Sequence, residues 1–273
     1  SSTRGKALST GWFGLSTAEF LMPVTIIYAL TIMNWRNIWI IISVAVILFL
    51  PLISYFLVKE VKLSSREDDN EVIRENIKQW KRSEVIKDYR FIIIALNMLA
   101  MPWIATGIFV YQSFILSAKN WGEYTIAQSF MVYSIASVLT LFVAGYLIDK
   151  FTSRKLLIYM NIPFLISLLI LFYFQSPVSS FFFLGLIGVS NGFANVLGSS
   201  TWAELYGVEF IGSIKALTTA LMVFSTAFGT AFFGLMIDFN FSIEQISMIS
   251  GCYILISLIL LFLIKNKLNP TIL

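Results

Sequence analysis

The sequence predicts an all-α membrane protein of eight transmembrane helices, and three observations carry that prediction. Of 273 residues, 58% are apolar and 12% charged, against roughly 45–50% and 25% in a soluble domain. Six stretches, 37–58, 91–118, 124–148, 156–203, 216–237 and 245–264, contain no Asp, Glu, Lys or Arg. Each reaches the ~20 residues a helix needs to cross a bilayer. None alternates as a barrel strand does, and in lipid a helix satisfies its own backbone polar groups.

Taken in order, the first span is 10–32, an apolar 23-residue segment with one charge, Glu19. Residues 38–58 form the second, and 91–117 and 124–148 the third and fourth. The uncharged run 156–203 has 48 residues, too many for one helix, and Gln175-Ser176-Pro177 supplies a turn inside it. It therefore divides into spans at 155–174 and 180–203. Spans at 213–237 and 245–264 complete the eight.

Basic residues in the connections orient the spans. With both ends on one side, that side holds Arg4, Lys6, nine Lys/Arg between 59 and 90, Lys150, Arg154, Lys155, Lys215, Lys265 and Lys267; the other holds Arg36 and Lys119. Seventeen against two places both ends and the loop 59–90 in the cytoplasm of a plasma or inner membrane. The net charge of +4 follows from this topology and calls for no nucleic-acid partner. In the loop, Ile73, Ile77 and Trp80 fall at helical spacing beside Lys78, Lys81 and Arg82. Two readings stand: a short helix on the anionic inner leaflet, or a solvated linker.

Most soluble enzyme chemistry is disfavoured. The chain has no histidine for a metal site or proton relay and one cysteine, Cys252. Catalytic residues, metal ligands and cofactors are accordingly expected to be none, and no Walker sequence points to ATP. The chain opens on Ser1-Ser2-Thr3-Arg4 with no readable signal peptide and reads as a fragment.

An internal repeat supports that reading. At an offset of 209 residues, Lys6-Ala7-Leu8-Ser9-Thr10 aligns with Lys215-Ala216-Leu217-Thr218-Thr219, and Ser16-Thr17-Ala18 with Ser225-Thr226-Ala227, seven identities in thirteen positions. The copies begin the first and seventh spans, which run in the same direction, as a parallel repeat of six helices requires.

The loop Gly145-Tyr-Leu-Ile-Asp149-Lys150-Phe-Thr-Ser-Arg154-Lys155 is similar to the loop signature of the major facilitator superfamily (MFS), G-x-L-x-D-[RK]-x-G-R-[RK]-[RK]. Gly145, Leu147, Asp149, Lys150, Arg154 and Lys155 match, while Thr152 and Ser153 replace a glycine and an arginine. The resemblance implies a six-plus-six helix bundle with this loop as the weaker copy between helices 8 and 9. The chain is then helices 5 to 12: 1–58 as helices 5 and 6, 59–90 as the linker between halves, and 91–273 as helices 7 to 12. Helices 1–4 would be missing, with roughly 120 residues before Ser1. Independently of the family, Asp149 and Arg154/Lys155 flank a short loop where charge-assisted bonds, to each other or to neighbouring helix ends, can hold a gate closed. Topology alone also explains basic residues there.

Glu19 is the one ionisable residue deep within a span, near mid-bilayer, where a carboxylate costs about 2.5–3.5 kcal/mol. It is the candidate coupling group for a co-transported proton; the plainer reading is a protonated acid bonded within the bundle. Pro23 removes the donor for its carbonyl. Antiporters of the superfamily carry G-x-x-x-G-P-x-x-G-G in helix 5, and of this only Gly14 is present, which favours a uniporter or symporter.

The remaining polar residues of the spans are neutral. Asn191 and Asn195, at i and i+4, share a helix face in the span that the resemblance makes helix 10, which in the family lines the substrate path. They are the first pocket candidates, with packing as the plainer reading. Tyr111, Gln112, Tyr133, Ser137, Ser225 and Thr226 are further candidates, whereas Trp35, Trp121 and Trp202 fit the interfacial belt. With no Lys or Arg inside its spans, the 91–273 part offers an anionic solute no cation. The reading is alternating-access transport of a small organic solute; a receptor or membrane-embedded enzyme on the same bundle is the alternative.

Exchange of Glu19 for Gln keeps shape and removes titration. Glu19→Gln is expected to express and fold normally and to abolish pH-driven accumulation, read as uptake against a gradient. Undiminished accumulation would leave Glu19 a structural role only.

Overall fold

A computed structural model describes residues 17, 18, 20–60 and 78–271. Glu19 and the linker positions 61–77, Ile73 and Ile77 included, lie outside the described residues. The helices are α1 (Phe20–Ile32), α2 (Trp35–Glu60), α3 (Tyr89–Val110), α4 (Gln112–Lys119), α5 (Glu123–Phe151), α6 (Ser153–Tyr173), α7 (Ser179–Tyr206), α8 (Ile211–Asp238) and α9 (Ile243–Ile264). Among the described residues there is no strand, and seven helices are long and apolar enough to cross a membrane. The described part of the first expected span, α1, is shorter than that length.

Local chemistry sets the element ends. Asn120, left-handed at φ 53, ends α4, and the Trp121 N–H closes onto the Leu116 carbonyl at 3.0 Å. Ser242 caps α9 by accepting from the Gln245 N–H while the Gln245 side chain accepts from the Ser242 N–H. α6 is interrupted at Asn161, just before Pro163. α3 changes register at Met101–Ala105, where the backbone takes one π turn around Pro102.

Packing runs α5–α7–α6–α9–α3–α8. α5 and α7 meet through glycines: a Cβ at Gly188 would fall 2.2 Å from the Tyr133 carbonyl oxygen, and one at Gly192 2.6 Å from that of Ser137. In lipid no hydrophobic force presses helices together, so such close backbone contact supplies the attraction. α3 is central, with 61% of its span buried, whereas for α8 the share is 17%.

The buried side chains form two cores stacked along the bundle. One includes Ile104, Ile108, Phe164, Leu168, Phe183, Ile187 and Ile254; the other includes Phe91, Ile94, Leu157, Met160, Leu197, Trp202, Tyr206 and Leu261. Four helices pass from one core to the other through a polar residue: Asn97 in α3, Asn161 in α6, Asn191 in α7 and Ser257 in α9.

Trp80 departs from the surface-helix reading. It precedes the single-turn helix Arg82–Val85 and packs edge-on against Tyr206, with Lys78 and Arg90 over its ring at 4.2 and 5.5 Å. The Trp80 N–H bonds the Tyr206 carbonyl and the Lys78 N–H that of Thr271. Its helical spacing from Ile77 therefore marked no amphipathic face at Trp80; tertiary contacts with the end of α7 hold it instead. Nearby, the Lys81 N–H and then the Lys78 ammonium hold the Glu84 carboxyl below the usual range.

Gly188→Ala is expected to lower the melting temperature in detergent, since overpacking costs about 1–3 kcal/mol. Gly198→Ala, whose Cβ meets nothing within 4 Å, should raise it through helix propensity. Equal shifts would show that the α5–α7 contact carries no stability.

Candidate functional site

The site begins with the irregular middle of α3. Pro102 has no N–H for the Met98 carbonyl four residues back, and the adjoining carbonyls are taken by side chains of three other helices. Tyr253 of α9 donates to the Leu96 carbonyl at 2.7 Å, Asn161 of α6 to that of Asn97 at 2.6 Å, and Ser225 of α8 to that of Leu99 at 3.2 Å. Asn161 also reaches Asn97 Oδ1 at 3.1 Å, and Asn97 Nδ2 lies 3.4 Å from Ser257 Oγ. On the α8 side, a Cβ at Gly229 would lie 2.0 Å from the Trp103 carbonyl, so only glycine admits this approach.

Beside the π turn lies a cavity of about 260 Å³ between α3, α5, α7 and α8. Met98, Met101, Pro102, Ala105 and Thr106 form its α3 wall; Asn191, Asn195, Gly198 and Trp202 face them from α7, with Tyr133 from α5 and Thr218 from α8. No charged residue lines it. Its polar groups are two carboxamides, two threonine hydroxyls and a phenol. Asn191 Nδ2 is held by Ser137 Oγ at 3.1 Å, while the Asn195 side chain makes no hydrogen bond among the described residues.

The expected pocket residues thus separate. Asn191, Asn195 and Tyr133 come together at the cavity, with Ser137 behind Asn191. Tyr111 is the hinge residue between α3 and α4, at φ −100 and ψ 26, with its hydroxyl against Gly234. Gln112 faces a separate small recess with Ile115, Ile126 and Phe183. Ser225 holds the Leu99 carbonyl, and half-buried Thr226 bonds the Val223 carbonyl of its own helix at 2.7 Å. Met98, Pro102, Thr106 and Thr218 line the cavity without having been singled out; Pro102, inside an uncharged run, was the available signal.

At the loop of the signature, Arg154 turns to α7. Its Nε lies 3.0 Å from Glu204 Oε1, and its Nη1 reaches the Leu268 carbonyl at 3.2 Å and Asn269 Oδ1 at 3.0 Å. Glu204 also accepts from the Ser153 N–H at 2.9 Å and from the Ser153 hydroxyl. The acidic partner is therefore a neighbouring helix end. Lys150 lies over the Phe151 ring, Lys155 is exposed, and nothing approaches Gly145 within 4 Å; the Asp149 side chain is outside the described residues. Asp88 accepts from the Arg90 side chain and from the Tyr206 hydroxyl at 3.1 Å. At the other end, buried Lys119 pairs with Glu244 at 2.7 Å.

These features define a class: a multi-pass helical membrane protein with a neutral, amide-bearing cavity beside a broken helix and with its charges at the helix ends. The family model of the Major Facilitator Superfamily matches residues 1–230 and 92–271. The chain belongs to this family of membrane transporters. No curated protein matches it.

The two asparagines are distinguishable. Asn191→Leu is expected to cost about 0.6 kcal/mol of stability, the usual worth of one interhelical bond, whereas Asn195→Leu should leave the melting temperature nearly unchanged while weakening solute binding at least as much. Normal affinity with a large drop in melting temperature for Asn195→Leu would make it packing.

Proposed function

We propose that the chain is a secondary active or facilitative transporter of a small organic solute, working by alternating access. The observation that carries this is the cavity at the π turn. It lies between the two cores, and its hydrogen-bonding groups suit an uncharged, partly apolar solute better than an anion, for which it offers no cation. In this reading 91–273 forms the helix 7–12 bundle, 1–58 supplies helices 5 and 6, the first two of the eight spans and the last two helices of the N-terminal half, and 59–90 links the halves. Both ends face the cytoplasm of a plasma or inner membrane, helices 1–4 complete the opposite cavity wall, and Glu19 couples a proton. The chain itself catalyses no covalent reaction.

The gate is the loop Gly145–Lys155, in which Asp149 and Lys150 end α5 and Arg154 and Lys155 begin α6. Support comes from the Arg154–Glu204 pair, which ties the start of α6 to the end of α7, the helix that carries Asn191 and Asn195. Opening the inner side separates elements that this pair holds together.

A ligand-free experiment tests the reading. In a Cys252→Ser background, Ala194→Cys or Thr218→Cys places a thiol on the cavity wall. A membrane-impermeant maleimide should label it from either side of the membrane, and Glu204→Gln should raise labelling from the cytoplasmic side. Labelling from one side alone, unmoved by Glu204→Gln, would exclude alternating access through this cavity.

A further inference from the structure

A second cavity, of about 760 Å³, lies between the ends of α5 and α6 and the segment after α9. One wall is apolar: Leu147, Phe151, Ile158 and Tyr159, of which Phe151 and Tyr159 are exposed. The other carries Arg154, Lys155 and Lys265 with the amides of Asn266 and Asn269. Arg154 is already engaged by Glu204, Leu268 and Asn269. Lys155 and Lys265 are exposed and have no acidic partner among the described residues; Lys265 Nζ rests 3.7 Å from the centre of the Phe262 ring. The one acid shown at this end of α6, Glu204, is taken up by Arg154 and Ser153. Two ammonium groups without an acidic partner among the described residues therefore border an apolar groove, and its wall continues into exposed Phe262 and Leu263.

A soluble anion has no use for such a wall, and a zwitterionic lipid gains little from two extra cations. An anionic phospholipid uses both, because basic pockets between helix ends attract anionic headgroups while acyl chains follow apolar surface. We propose that this groove binds an anionic phospholipid, its phosphate between Lys155 and Lys265 and its chains along Phe151, Ile158 and Tyr159. The proposal rests on the orientation given above only for which leaflet supplies the lipid.

The test titrates the purified chain in detergent with palmitoyl-oleoyl phosphatidylglycerol and with phosphatidylcholine of the same chains, counting bound lipid by native mass spectrometry. Phosphatidylglycerol should bind more tightly. Lys155→Gln with Lys265→Gln should weaken it roughly twenty- to thirtyfold, about fivefold for each basic residue at the surface, and leave phosphatidylcholine unchanged. Arginine at both positions should retain binding. Lys87→Gln with Lys215→Gln, which removes the same charge outside the groove, should have no effect. Equal affinity for the two lipids, or an equal loss in the Lys87/Lys215 control, would overturn the proposal. Displacement by glycerol 3-phosphate at the same concentration would assign the groove to soluble phosphates instead. Tighter binding after neutralising Glu67, Asp68, Asp69 and Glu71 would assign it to the chain's own acidic segment. Transport enters none of these measurements, so they stand or fall apart from the function proposed above.

Discussion

The rest of the bundle depends on the π turn at Met101–Ala105. A proline inside a lipid-embedded helix disturbs backbone bonding where no water can compensate, so donors from neighbouring helices gather on the carbonyls around it. Here Tyr253, Asn161 and Ser225 donate to the carbonyls of Leu96, Asn97 and Leu99. Three neighbouring helices thus each present a donor to α3 just before the π turn. It also produces the cavity, since the same segment supplies Met98, Met101, Pro102, Ala105 and Thr106 to its wall. π turns inside helices are often functional for this reason.

The polar layer follows from the same constraint. Apolar side chains are no better solvated by one another than by lipid tails, so the two cores give shape and dispersion contact but little helix-to-helix specificity. Specificity comes from the residues between the cores. Asn97, Asn161 and Ser257 join α3, α6 and α9, while Ser137 and Asn191 join α5 and α7. Single bonds of this kind average about 0.6 kcal/mol; their value lies in fixing register. Gly188 and Gly192 do the same sterically, because only glycine lets the α7 backbone meet the carbonyls of Tyr133 and Ser137.

Span number and order were largely legible because charge exclusion is a strong signal in a chain with 12% charged residues. Seven of the expected spans correspond to helices, except that 91–117 is broken at Tyr111 into α3 and α4. The cavity was legible on one wall: two asparagines four residues apart share a helix face whatever the partner helix is, so Asn191 and Asn195 could be paired without a structure. The opposite wall was not, because its character comes from a backbone register change at Pro102 rather than from side chains. Asn97 and Asn161 carry no sequence signal of their own; their significance lies in each other, 64 positions apart. The Arg154–Glu204 pair was hidden likewise. Its basic member sits in a recognisable loop, but its acidic member stands alone at the end of a long uncharged run. Trp80 shows the opposite error, where periodicity suggested a face and packing against Tyr206 decided the outcome.

These ties also differ in kind across the bundle. α3, α6 and α9 are joined at mid-depth by hydrogen bonds, and α5 and α7 by glycine contacts backed by Ser137. Movement that broke either group would cost several bonds at once in a medium that offers no replacements. α8 is tied sterically: its shown side-chain bond to another helix is from Ser225, and Gly229 against Trp103, Phe233 against Gly107 and Gly234 against Tyr111 seat it along α3, although only 17% of its span is buried. α6 packs on both α7 and α9, so the two groups join into one bundle, and the cavity lies where α7 and α8 face α3. The ion pairs stand outside this layer, Arg154–Glu204 and Asp88–Arg90 at one end and Lys119–Glu244 at the other. Lys119 is buried and Asp88 nearly so, and each is paired, so charge that leaves water at the helix ends is compensated there while the cavity lining between them stays neutral.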